Sequence, residues 1–171
     1  MDKFDEVQDY VFLGREFLTW LLWRADRGDN SFNCYDRVFT VTFNGRICLG
    51  SIDGDVVRGQ LDGQSAAYSI EARAAIGAGR TINAATIRFV SGEREWSCVL
   101  TQTLDLRGVK IPALLVEETD DRFGERMSLL LELHQMVQAM YADFLKVRTT
   151  ETWRAETVPA IGVWVTTALE A

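Results

Sequence analysis

The chain has 171 residues, 47% of them hydrophobic, and a formal net charge of −7. This size and composition predict a single domain over residues 1–171 and exclude a disordered chain. No apolar run is long enough to span a bilayer, and the acidic start MDKFDEVQD is unlike a secretion signal, so we expect a cytoplasmic protein without membrane contact. Cys34, Cys48 and Cys98 form no CxxC pair, which favours reduced thiols.

The first predicted element is a helix around GREFLTWLLWRAD, residues 14–26. Ten of the fourteen residues from Tyr10 to Trp23 are apolar, and they spread around most of the helix circumference. Such a helix must be covered on more than one side, either by the chain's own sheet and long helix or by another subunit. Phe17, Trp20 and Trp23 are therefore candidate interface residues, since tryptophan is enriched among interface anchors.

Two hairpins are predicted after this helix. In the first, Val38–Phe43 runs out, Asn44-Gly45 forms the favoured type I′ loop and Arg46–Ile52 returns, with apolar residues on both faces. The stretch DGDVVRGQLDGQS offers one more short strand between glycine turns. Further along, Ile82–Val90 and Arg94–Thr103 form the second hairpin around SGE, and LDLRGVKIP continues extended.

Three more helices are predicted. A two-turn helix covers Ile70–Ala78, capped by Ser69, and a last helix begins near Pro159. Between them lies a long helix over Arg122–Val147 with a packing stripe. The stripe consists of Phe123, Met127, Leu130, His134, Val137, Tyr141 and Phe144, and it is widened by Leu133, Met136, Met140 and Leu145. The fold class is therefore α+β, with antiparallel hairpins packed against an apolar N-terminal helix and a long C-terminal helix.

Few residues offer catalytic chemistry. His134 is the only histidine, and its place in the stripe favours a core or interface role, so we assign it to an interface. Neither a GxSxG elbow nor a phosphate-binding glycine loop occurs, and we expect no enzyme activity, cofactor or metal. Asp53 and Asp55 could bind Mg²⁺ as in a nuclease, but an Asp-Gly-Asp triplet is more commonly a turn.

Basic residues are concentrated in the middle of the chain. Residues 31–110 hold nine basic and eight acidic side chains, whereas both flanks are acidic. Six basic residues belong to the short helix and the second hairpin unit: Arg73, Arg80, Arg88, Arg94, Arg107 and Lys110. Two interpretations are open: these residues bind phosphates from one face of the second hairpin, or they form a solvated face with ion pairs to glutamates.

The stretch SIEARAAIGAGRTINAATIRFVSGEREWSCVLTQTLDLRGVKIP resembles the C-terminal part of the bacterial recombination-associated RdgC family. Ser69 and Glu71 match the family's helix start, Gly79-Arg80 stands where the family has Gly-Lys, and Arg107 and Lys110 fall in its basic tail. FLGREFLTWLLW also resembles the segment that precedes this unit, and DDRFGERMSLLLELHQMVQAMYADFLKVR fits the family's end.

The resemblance implies a non-catalytic protein that binds double-stranded DNA without sequence preference and forms a homodimer or higher homo-oligomer. The six basic residues would then contact DNA. Homodimers of the family are closed rings to which both ends of the chain contribute, and only the C-terminal half of a family member is matched here. The alternative is an assembly or adaptor protein of the same fold that binds a protein partner and has lost DNA binding.

Overall fold

The computed structural model describes residues 3–51, 59–61 and 70–169, with side chains for residues 15–50 and 70–167. Asp53, Asp55 and Ser69 lie outside the described residues. In chain order the elements are α1 (Lys3–Asp26), β1 (Ser31–Cys34), β2 (Arg37–Ser51), β3 (Gly59–Leu61), α2 (Ile70–Gly77), β4 (Arg80–Ser91), β5 (Arg94–Thr101), β6 (Leu106–Lys110), α3 (Thr119–Arg148), a π-helical turn (Trp153–Thr157) and α4 (Val158–Leu169).

The strands form one antiparallel sheet in the order β1-β2-β4-β5-β6, and β3 pairs with the second half of β2. The helices pack against this sheet, so the predicted α+β class is confirmed. Among the described helices, not one combines the length and the apolar character that a bilayer crossing requires.

Helix α1 is the central element of the core. It contacts β2 and β4 on one side and α3 and α4 on others, which explains why apolar side chains surround it. Phe17 is fully buried, and Trp20 is 2% exposed. The prediction that the sheet and the long helix cover this segment is confirmed. The helix ends at the predicted turn, where Gly28 has φ +75° and Arg24 binds the Asp29 carboxylate at 2.8 and 2.9 Å.

The predicted first hairpin is wrong, because β2 is one continuous strand. It pairs with β4 along nearly its whole length, and its real hairpin partner is β1. Between the pairs Phe43↔Ile87 and Ile47↔Ala85, β2 advances four residues and β4 only two. Gly45, at φ +105°, lies in this bulge and makes no reversal of the chain. The Asn44-Gly45 pair thus belongs to a β-bulge within one strand and not to a hairpin loop.

The second hairpin is confirmed as β4 and β5. Trp96, Cys98 and Leu100 alternate on the buried face, each at most 2% exposed. The indole N–H of Trp96 donates a 3.0 Å hydrogen bond to the carbonyl of Leu129, which ties the sheet to α3. β3, α2 and α4 also form where the sequence predicts them. The predicted extended continuation over LDLRGVKIP is wrong in direction, because the chain turns after Thr101 and β6 pairs antiparallel with β5.

The packing stripe of α3 is only partly as predicted. Val137 and Phe144 are buried, but Phe123, Met127 and His134 are exposed. The residues that pack into the core from this helix are Leu129, Leu133, Met136, Val137, Met140 and Phe144. All of these but Leu129 belong to the predicted stripe or to the residues that widen it. The core covers the side with Leu133, Met136 and Met140 and leaves the side with Phe123, Met127 and His134 exposed.

The buried thiols yield a direct prediction. Burial raises the pKa of Cys98 to about 11, and its side chain is 2% exposed. Since the thiolate is the reactive form, Cys98 should resist alkylation in the folded protein at mildly alkaline pH and react fully once the chain is unfolded in urea. Mass spectrometry of alkylated peptides measures this. Rapid labelling of Cys98 in the folded chain would contradict the burial.

Candidate nucleic-acid interface

The sheet has two faces of different character. One face, with Ile87, Phe89 and Trp96, is buried under the helices. The opposite face, here called the outer face, bears the strand residues that alternate with these, and they remain partly exposed. Arg88 lies on this outer face, as its position between Ile87 and Phe89 predicts.

Strand pairing aligns Arg88 with a second basic residue. Arg88 pairs with Ser97 on β5, and Ser97 pairs with Lys110 on β6. Paired residues of adjacent strands share a face, so these three form one row across the outer face. Thr42 of β2 pairs with Arg88 and extends the row. The row therefore holds two cations separated by a short hydroxyl side chain.

A bulge in β6 adds a third basic residue to the outer face. Lys110 pairs with Ser97 and Arg107 pairs with Val99, so three steps on β6 match two on β5. The extra residue is accommodated at Gly108, whose φ is +57°. In a regular strand, residues 107 and 110 would lie on opposite faces. The bulge places both on the outer face, where both are exposed.

One of these basic residues, Arg88, is paired with a carboxylate of the same face. The Arg88 guanidinium donates a 2.5 Å hydrogen bond to the Glu95 carboxylate across the β4–β5 pair. That hydrogen bond lowers the pKa of Glu95 and raises the pKa of Arg88. The Nε–H of Arg88 is shielded from solvent and has no acceptor within the described part of the chain. Within the described residues, Arg88 is thus held by its hydrogen bond to Glu95, and its unpaired Nε–H is not accessible from solvent.

Arg107 and Lys110 lie at the edge of the sheet, since β6 is the terminal strand among those that the structure describes. In the described part of the chain, neither side chain takes part in an ion pair or hydrogen bond. Together with Arg88 they define the candidate interface, which we call the basic outer face. It carries two guanidinium groups and one ammonium group, which are hydrogen-bond donors with positive charge.

The structure does not bring the other predicted DNA-binding residues to this face. Arg73 donates hydrogen bonds of 2.6 and 3.1 Å to the Trp164 carbonyl and so joins α2 to α4. Arg94 lies on the inner face, 3.0 Å from the Glu132 carboxylate of α3. Arg80 is half-buried at the first residue of β4, away from the row that contains Arg88. Arg73 and Arg94 therefore connect elements of the fold.

Of the four predicted interface residues, three are buried in the core and one is exposed. Phe17, Trp20 and Trp23 are at most 8% exposed within the chain itself, so almost none of their surface is left for a second subunit. Their ring partners are the chain's own aromatic residues, such as Phe144, 5.5 Å from both Phe17 and Trp20. His134 is exposed on α3.

The described residues show little that suggests catalysis or metal binding. No group of three His, Cys, Asp or Glu side chains that could hold a metal ion occurs among them. A cavity of about 160 Å³ beside Cys34 is lined by Arg37 and Glu132, whose side chains pair at 2.7 Å. An apolar groove of about 250 Å³ lies between α1 and α4, lined by Trp153 and Ile161 among others.

Comparison of the chain with protein-family models, curated proteins and solved structures gives no match. The resemblance to RdgC therefore stays a prediction from the quoted motifs.

Sequence reasoning missed the bulge that assembles the basic outer face. The available signal was a glycine between Arg107 and Lys110, three residues apart in a strand. Glycine inside a strand pattern commonly marks a bulge. Arg94, by contrast, shares its alternation with Trp96, so the sequence already places it on the buried side.

Proposed function

We propose that this chain is a non-catalytic protein that binds double-stranded DNA without sequence preference, in the manner that the RdgC resemblance implies. The observation that carries the proposal is the bulge at Gly108, which puts Arg107 and Lys110 on the exposed face that also holds Arg88. Guanidinium and ammonium groups on one exposed surface bind phosphate oxygens.

The shape of this surface favours the DNA backbone over the bases. Base edges are read by an element that enters a groove, such as a helix or a two-stranded ribbon. The basic outer face is the broad side of a sheet, and short side chains such as Thr42, Thr86 and Ser97 lie among its cations. A surface of this kind contacts phosphates, and phosphate contacts carry no sequence information.

The net charge of −7 limits the proposal to a local attraction. DNA is attracted by the basic outer face and repelled by acidic segments elsewhere, such as Glu117–Asp121. We therefore expect moderate affinity that falls steeply with salt, because each phosphate contact releases condensed counterions.

Fluorescence anisotropy with a labelled random-sequence duplex, at roughly 50 and 200 mM salt, tests the proposal. The wild-type chain should bind at the lower salt concentration and lose most of its affinity at the higher one. The double variant Arg107→Glu/Lys110→Glu should bind at least tenfold more weakly, about 1.4 kcal/mol, because two attractive contacts become repulsive.

The matched control is Lys146→Glu/Arg154→Glu, which makes the same change in net charge at two exposed positions outside the sheet. This control should retain most of the wild-type affinity. Equal losses in both variants would mean that net charge, and not the basic outer face, governs binding. Absence of binding by the wild-type chain at low salt would reject the DNA proposal.

One observation favours the adaptor alternative. The Glu95 carboxylate forms an ion pair with Arg88 at 2.5 Å, so the charge of one of the three basic residues is partly neutralised without any ligand. A protein that kept the fold and lost DNA binding would show such internal pairing. The variant Glu95→Gln tests this alternative, since it should strengthen DNA binding if Arg88 contacts phosphate and should leave binding absent if the fold has lost DNA binding.

A further inference from the structure

Helix α3 has an apolar face that its own core does not cover. Phe123, Met127 and Leu131 follow one another at four-residue spacing and are 69%, 51% and 58% exposed. His134 continues the same side of the helix and is also exposed. The core-facing residues of α3, such as Leu133 and Met140, lie on a different face. We call the residues Phe123, Met127, Leu131 and His134 the second face of α3.

Among the described residues, few neighbours surround the first part of α3. Between Thr119 and Ser128 no residue is buried. The contact that holds this part to the preceding segment is made by the Glu125 carboxylate, which accepts hydrogen bonds from the backbone N–H groups of Leu115 at 2.8 Å and Val116 at 3.0 Å. A second helix therefore has room to lie along the second face.

The second face is complementary to itself. In a two-fold dimer each residue meets a residue at the mirrored position on the partner. With the axis at Met127, Phe123 lies four residues before the axis and Leu131 four residues after it, so one meets the other. Asp120 lies seven residues before Met127 and His134 seven after, which brings a carboxylate to an imidazole.

We propose that the second face of α3 binds the same face of a second copy of this chain as an antiparallel helix pair centred on Met127. Apolar contacts then join Phe123 to Leu131 twice, and each His134 donates a hydrogen bond to the acidic first turn of the opposite helix. Antiparallel packing also opposes the two helix dipoles favourably. This surface is separate from the basic outer face, so the proposal does not depend on DNA binding.

Analytical ultracentrifugation of the full chain tests the pairing. We expect a dimer in the wild-type chain and at least a tenfold weaker dimer in Met127→Glu, because two carboxylates then face each other at the axis. Val163→Glu on α4 is the matched control, since Val163 is 66% exposed and lies outside the second face. It should leave the dimer intact, and circular dichroism should show both variants folded.

Disulfide cross-linking fixes the geometry. A residue on the two-fold axis meets itself, so Met127→Cys should form a disulfide-linked dimer under mild oxidation, whereas Val163→Cys and the wild-type chain should not. A monomeric wild-type chain, or a dimer that survives Met127→Glu, overturns the proposal. A dimer that Met127→Glu disrupts but Met127→Cys does not link overturns the antiparallel arrangement.

Discussion

Replacing Phe144 by alanine is expected to lower the free energy of unfolding by about 3–5 kcal/mol. Phe144 is fully buried, and its ring lies 5.5 Å from those of Phe17, Trp20 and Trp153. It joins α1, α3 and the π-helical turn, so its removal leaves a cavity that no single element can close. Urea denaturation followed by tryptophan fluorescence measures the change.

The matched control is Phe123→Ala, the same substitution on the same helix at a residue that is 69% exposed. In dilute solution, where self-association does not add to stability, its effect should stay within about 0.5 kcal/mol. Similar losses for the two variants would mean that Phe144 does not hold the central position in the core that the structure assigns to it.

Replacing Gly108 by valine is expected to impair both stability and the proposed DNA binding. A β-branched residue at φ +57° is strained, and the cost is about 1–2 kcal/mol. If β6 relieves this strain by pairing regularly with β5, Arg107 and Lys110 point to opposite faces. Binding should then weaken, and the slope of log affinity against log salt should fall by about 0.9 for each lost phosphate contact.

Two control variants distinguish the effect of backbone strain from the effect of the face on which Arg107 and Lys110 lie. Gly92→Val places the same residue at φ +61° in the β4–β5 turn, so it should cost similar stability and leave DNA binding unchanged. Deletion of Gly108 removes the bulge but leaves Arg107 and Lys110 two positions apart, on one face of a regular strand, so it should largely retain binding. An unchanged salt slope in Gly108→Val would show that the bulge is not needed.

The parts of the fold that depend on local pattern were predictable. The apolar stretch around Trp20 implied a covered helix, and the alternation from Trp96 to Leu100 implied a half-buried strand. Each signal is contained within about ten residues, and no competing interpretation satisfied the same pattern.

The wrong predictions concern elements whose pairing or packing is determined by residues far away in the sequence. Asn44-Gly45 is compatible with a hairpin loop, but β4, about forty residues further on, pairs with both halves of β2 and keeps the strand continuous. On α3 the predicted stripe spans two sides of the helix, yet the core covers only the side with Leu133 and Met140 and leaves Phe123 and Met127 exposed. Amphipathic spacing does not say which of two apolar faces the core will cover.

For the candidate site, the sequence predicted which residues are basic but not which of them lie together. The sequence indicated the basic residues, but their grouping depends on the β6 bulge and on tertiary contacts. Arg73 could not be excluded beforehand, since its acceptor, the carbonyl of Trp164, lies 91 residues away. Long-range backbone acceptors of this kind leave no local signal.

The central position of α1 has a consequence for how the chain folds in the cell. Phe17 and Trp20 are covered by Phe144, and the indole N–H of Trp164 donates a 2.6 Å hydrogen bond to the Asp26 carboxylate at the end of α1. A ribosome adds about 5–20 residues per second, so these partners follow α1 by on the order of ten seconds. During that time the tryptophan-rich segment is hydrophobic and lacks its cover, so its exposure ends only when the last helices have been synthesised.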